Sequence, residues 1–184
     1  ARLFLLFNAK IDTFMACIQT LSGIINDCLS NMGGIRKVYL ANKADVSAVT
    51  LTQGKVTGIT MAASAKFKGY YLKPNTASMS SNWQVNQENG TNFVQTDLVM
   101  VFNRMETAKR IEVVAMAQGE LVALVEDANG AYWFLGYEAA LVLSAGDGLS
   151  GTARADRNGY SITLQDNSLS LPEAVTADMD ALSA

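Results

Sequence analysis

The sequence predicts a mainly β protein: an antiparallel β-sandwich or partial barrel with one flanking α-helix at about 105–118. Three observations carry this. Short runs of alternating apolar and polar residues recur along most of the chain, separated by turns rich in Gly, Asn and Asp. "NQENGTNFVQTDLVMVF" (86–102) reads as a tight turn opening a long strand. "METAKRIEVVAMAQG" (105–119) is the segment with the clearest helical spacing, placed between two groups of strands.

The elements follow in order. Residues 1–14 include a five-residue apolar run, far short of the ~20 residues that span a bilayer. Met15 opens "MACIQTLSGIINDC" as a natural start, so residues 1–14 read as a non-native or upstream extension; the other reading is an ordinary N-terminal helix or arm. Residues 15–34 form an N-terminal arm or weak helix, broken at Gly33-Gly34. Residues 35–175 are expected to be one β-sandwich domain, and 176–184 a loose acidic tail. Within the domain, "IRKVYLA" (35–41) is a strand with Ile35, Lys37 and Tyr39 on one face and Arg36, Val38 and Leu40 on the other. Segments 46–52, 55–61 and 66–73 are short strands, the last stopped by Pro74-Asn75.

"TASMSSNWQV" (76–85) alternates cleanly. Thr76, Ser78, Ser80, Asn82 and Gln84 form an uncharged wet face, while Met79 and Trp83 on its back are expected to pack on the core. Asn89-Gly90 turns the chain into the strand 91–103. There Val94, Thr96, Leu98, Met100 and Phe102 share one face, and Gln95, Asp97, Val99 and Val101 the other. In the helix, Ala108, Ile111, Val114 and Ala115 make the apolar stripe, Glu106 and Arg110 sit at i,i+4, and Gly119 is the stop. "ELVALVED" is apolar on both faces. "DANG" (127–130) and "DRNG" (156–159) are matching turns, each preceding a Tyr-containing strand.

Composition excludes several function classes. The chain has 184 residues, a net charge of −3 and no His. Phosphate affinity needs clustered Lys and Arg, so a nucleic-acid binder is disfavoured. Without His there is no His-based triad, and most zinc sites are ruled out. Cys17 and Cys28 form no C-x-x-C pair; they read as free thiols, with a local disulfide as the other reading. "GDGLSG" (146–151) matches G-x-G-x-x-G, but a turn follows where a phosphate site needs a helix N-terminus, so it reads as a flexible connection. The D-x-N-G turns lack the remaining ligands of a calcium loop. "NGT" (89–91) is a glycosylation sequon that matters only in a secreted eukaryotic chain. Glu88, Asp97, Glu112, Glu120, Glu126 and Asp127 are candidate carboxylates, and the sequence sets no two of them at a catalytic separation. Trp83, Trp133, Tyr132 and Phe134 read as core or interface residues. No catalytic, cofactor or metal residues are assigned, and no enzyme activity is expected.

These elements together resemble a phage tail tube protein, in particular a group of short structural proteins of Bacteroides-type phages and prophages. The likeness rests on "MACIQTLSGIINDC" leading into "GGIRKVYLAN", on "GKVTGIT" before "FKGYYLKPNTASMSSNWQVNQENGTNFVQTDLVMVF", and on "LVALVEDANGAYWFLG", "SAGDGLSG" and "DRNGYSITLQ" after the helix. It covers roughly residues 15–175 and leaves residues 1–14 outside. The resemblance implies a virion tail protein assembled in the bacterial cytoplasm, its partners being itself and other tail proteins. It implies hexameric rings whose strands join into one inner β-barrel, stacked into a tube that conducts DNA as transient, non-specific cargo. On that expectation Thr76, Ser78, Ser80, Asn82, Gln84, Gln95 and Asp97 face the lumen, where Lys and Arg would grip phosphates. Loops 41–54 and 144–158 and the arm 15–34 would make ring-to-ring contacts. Competing expectations are a head–tail connector, a capsid decoration protein, or a non-catalytic carbohydrate- or protein-binding β-sandwich with Tyr70, Tyr71, Trp83 or Trp133 exposed.

Overall fold

Alternation of period two, broken by glycine turns, gives the described residues eleven strands, which a computed structural model arranges in two sheets. The structure describes residues 21–26 and 28–182; residues 1–20, and with them Cys17 and the expected extension 1–14, lie outside. Contacts divide the chain into two units, 1–30 and 31–184. In the first, the described residues carry neither helix nor strand, and Cys28 is a free thiol.

In the second unit the strands are β1 (Ile35–Asn42), β2 (Val46–Thr52), β3 (Lys55–Met61), β4 (Lys68–Tyr71), β5 (Ala77–Asn86), β6 (Thr91–Asn103), β7 (Leu121–Asp127), β8 (Tyr132–Leu135), β9 (Val142–Leu149), β10 (Gly159–Ser168) and β11 (Glu173–Val175). One sheet has seven strands in the order β2-β3-β11-β8-β7-β1-β4; the other has four, β5-β6-β10-β9. Neighbours are antiparallel except β11 and β3, which run parallel. Helix α1 (Thr107–Gln118) links the two sheets between β6 and β7. The arrangement is sandwich-like, and the sheets do not close into a barrel.

The main core lies between the sheets, where Val38, Leu40, Ala123 and Val125 meet Leu98, Met100, Ile162 and Leu164. The seven-stranded sheet has a second core on its far face, built from Tyr39, Val56, Phe67, Val122, Leu124 and Phe134. This is why "ELVALVED" is apolar on both faces: Leu121 to Glu126 are all buried. As far as residue 182 the C-terminal segment, expected to be loose, packs on the sheet, because its apolar residues have this second core to cover. Ala177, Met179 and Leu182 pack there, and Phe67 N–H donates to the Leu182 carbonyl. Residues 179–182 form a short helix, α2 (Met179–Leu182).

Other expectations need correction. Ile35 belongs to the same core as Val38, because β1 shifts register against β7 between Ile35 and Lys37. Helix α1 begins two residues late: Met105 and Glu106 stay outside it, Glu106 in an extended conformation, and Asn158 Oδ1 accepts from Met105 N–H. Glu106 pairs with Arg104 and Lys109, not with Arg110. The helix turns Met116 and half-buried Val113 inward, so the predicted stripe of Ala108, Ile111, Val114 and Ala115 faces solvent. "GDGL" is strand, not a flexible connection: Gly146 and Gly148 pair with Ile162 and Tyr160 in β10. A side chain at Gly148 would press on the Tyr160 ring, at 3.2 Å.

Candidate functional site: the outer face of the four-stranded sheet

The four-stranded sheet turns one face to the core and leaves the other outward. Asn86 Oδ1 accepts from Glu88 N–H and Asn89 Oδ1 from Thr91 N–H. These side-chain bonds fix the turn, and the turn fixes the register. Ten residues of β5 then pair with β6 without a bulge, and β10 pairs along ten residues on the other side of β6.

That register sets the outward residues in rows. Ser78, Val99, Thr163 and Ala145 form one row; Ser80, Asp97, Gln165 and exposed Val142 the next; Asn82, Gln95 and Asn167 a third. Ser78, Ser80, Asn82 and Gln84 are exposed, and Gln95 and Asp97 are half-buried, with Gln95 Nε2 donating to Asp97 Oδ2 at 3.3 Å. Six of the seven residues singled out in the sequence therefore share one surface. Thr76 is the exception: its hydroxyl donates to the Lys73 carbonyl at 2.6 Å and closes the turn ahead of β5.

β10 supplies Ser161, Thr163, Gln165 and Asn167 to the same face, which sequence reasoning missed. Their alternation in "YSITLQDN" was visible; that β10 lies beside β6, across 55 residues of intervening chain, was not. The whole four-stranded sheet contains no Lys or Arg. Its outward charges are Asp97 and, at the margin, Asp147, which pairs with Arg157 from the following loop.

The core-facing side of β5 is only partly covered. Met79 packs on the core, but Trp83 is 53% exposed, against expectation: it lies on the edge strand, while its partner Val94 on β6 is buried. Beneath the sheet, Ser81 and buried Thr96 share a hydrogen bond of 2.9 Å. Buried Asp166 accepts from Gly136 N–H at 2.9 Å and so ties the two sheets together. Burial pushes its pKa up from the ordinary carboxylate range, and Glu138 adds to the rise while hydrogen bonds from Gly136 and Thr96 oppose it.

A second concave feature lies elsewhere. Tyr70, Tyr71, Phe102, Val113 and Met116 line an apolar cleft of about 350 Å³ between β4 and α1. The Tyr70 hydroxyl donates to Glu112 at 2.9 Å. Burial and this carboxylate push the Tyr70 pKa well above the usual phenol value. The other candidate carboxylates are dispersed. Glu126 is buried against Arg36 and Lys37, and Asp127 accepts from Asn129 and Ala131 N–H inside its turn. Among the described residues no three His, Cys, Asp or Glu side chains are grouped to hold a metal ion, and no helix is long and apolar enough to cross a membrane. Comparison with protein-family models, curated proteins and solved structures gives no match.

Proposed function

We propose that this chain is a self-assembling structural subunit of a phage tail tube, and that the outer face of the four-stranded sheet lines the channel. One observation carries the reading: a broad outward face, polar apart from Val99, Val101, Val142 and Ala145, without a single Lys or Arg. A wall that passes DNA must be wetted without holding phosphates. Each Lys or Arg contact would add affinity and slow transit. Ser, Thr, Asn and Gln side chains meet that need, and Asp97 adds mild repulsion.

The sheet edges support assembly. Among the described residues β5 and β9 each have one strand neighbour, so each leaves an open edge. β5 has no charge, Pro or bulge, the devices by which edge strands avoid pairing with other chains. Edge-to-edge pairing of neighbouring copies would continue the polar face around a ring. The work of such a protein lies in its surfaces, and its partners are copies of itself and other tail proteins in the virion.

A second reading rests on the aromatic cleft. Tyr70, Tyr71 and Phe102 offer apolar and stacking surface to a sugar or a protein side chain, as in a non-catalytic binding module. Negative-stain electron microscopy of the purified full chain, with light scattering for mass, separates the two. Rings or hollow tubes are expected. A monomer at all concentrations whose cleft resonances shift with a glycan or peptide would favour the binding module.

A further inference from the structure

The two ends of the four-stranded sheet differ in charge, and both are apolar at the rim. At one end is the β5–β6 turn, together with the chain that leaves β10 after Ser168, the partner of Val94. Trp83, Val85 and Leu169 stand exposed there, at 53%, 61% and 74%. Segments 82–94 and 167–173 carry two exposed or half-buried carboxylates, Glu88 and Glu173, and no Lys or Arg. Glu138, which accepts from Leu169 N–H, and Lys43, which donates to the Glu138 carbonyl, offset each other beside them.

At the other end, where Gly159 pairs with Asn103, Met105 and Leu149 are exposed. Segments 103–110 and 147–159 carry five Lys and Arg side chains against three carboxylates. Local ion pairs of Glu106 and Asp147 leave this excess standing. The same sheet thus ends in an apolar acidic rim on one side and an apolar basic rim on the other.

We infer that these rims are two halves of one head-to-tail interface, and that the partner is a second copy of this chain. Trp83 and Val85 of one copy would seat against Met105 and Leu149 of the next, with Glu88 and Glu173 facing the Arg-rich loop 150–158. Large exposed aromatic and aliphatic groups ringed by polar residues mark association sites, and opposite fields orient the partners. A contact between different patches repeats from copy to copy and, where its rotation does not close a ring, propagates along an axis. The axis here runs along the strands, and so along the polar face. The inference deepens the self-assembly reading by naming the surface that stacks copies; the contact itself does not depend on the assembly being hollow.

Sedimentation velocity of the full chain at low and high salt tests it, with negative-stain images of the same samples. The wild type is expected to associate, less so in high salt. Glu88→Lys with Glu173→Lys, or Arg110→Glu with Arg154→Glu, should each weaken association by roughly tenfold or more, and all four changes together should restore it. Trp83→Ser should weaken association at every salt concentration, and thermal melting confirms that each variant is folded. A monomeric wild type under all conditions overturns the inference, as does association that the reversals leave unchanged. Hollow tubes of unaltered length in the reversed variants overturn it while keeping the tube reading. Solid end-to-end filaments with rescue support it and overturn the tube reading.

Discussion

The seven-stranded and four-stranded sheets are made by the same chain and differ in what their second faces do. The larger sheet is buried on both sides at its centre: Val122 and Leu124 point into one core, Ala123 and Val125 into the other. It tolerates charge at its margins, with Lys55 and Lys68 on outer strands and Glu126 neutralised by Arg36 and Lys37. The smaller sheet buries one face and leaves the other polar, and it lacks cations throughout. Folding explains the apolar half of that pattern. It does not call for excluding Lys and Arg from an exposed face, since surfaces ordinarily carry both. The difference therefore points to function on the smaller sheet and to scaffold in the larger one.

Breaking the scaffold should have the largest effect. Val122→Asp places an unpaired charge in the second core and is expected to cost about 4 kcal/mol or more, whereas Thr163→Asp on the polar face should stay within about 1 kcal/mol. Urea unfolding of both variants checks this; equal losses would mean that the smaller sheet's outer face is also covered. Next in size is Leu164→Ala, which opens a cavity between the sheets and is expected to cost about 2–5 kcal/mol in the same measurement.

Asp166 sharpens the comparison, since it joins the two sheets. Its folded-state pKa is raised above the unfolded value, so folding favours its protonated form. That contribution is full below the unfolded pKa and is lost as pH rises through the folded one. Asp166→Asn keeps an acceptor for Gly136 N–H without a charge. It should be more stable than the wild type at neutral pH, with the gap closing in acid. A gap independent of pH would mean that Asp166 is not the titrating group.

Much of this was legible in the sequence, because period two reports faces directly. Ser78, Ser80, Asn82, Gln84, Gln95 and Asp97 were assigned to the wet surface from alternation and one Asn-Gly turn. Long-range pairing was not legible: neither the β10 half of the polar face nor the second core that holds Met179 and Leu182 can be seen from local pattern. Helix α1 misled for a related reason. Its widest apolar stripe would suit a buried helix, but Lys109, Val113 and Met116 set the inward side, and Ile111 and Val114 face solvent. Trp83 misled because alternation tells which face a side chain is on, not whether anything lies over it.

The smallest effect on the isolated subunit is the most informative. Ser80→Lys with Asn82→Lys should leave stability within about 0.5 kcal/mol, since both positions are exposed on a strand. In the assembly the same change should create salt-sensitive retention of double-stranded DNA, measured by co-sedimentation. DNA retention equal to that of the wild type would place this face away from the channel.

The most direct test of the central claim is cryo-electron microscopy of the assemblies formed by the full chain. The account predicts a hollow ring or tube in which Ser80, Asn82, Gln95 and Gln165 face the lumen. An assembly with this face turned outward, or buried between subunits, would contradict it.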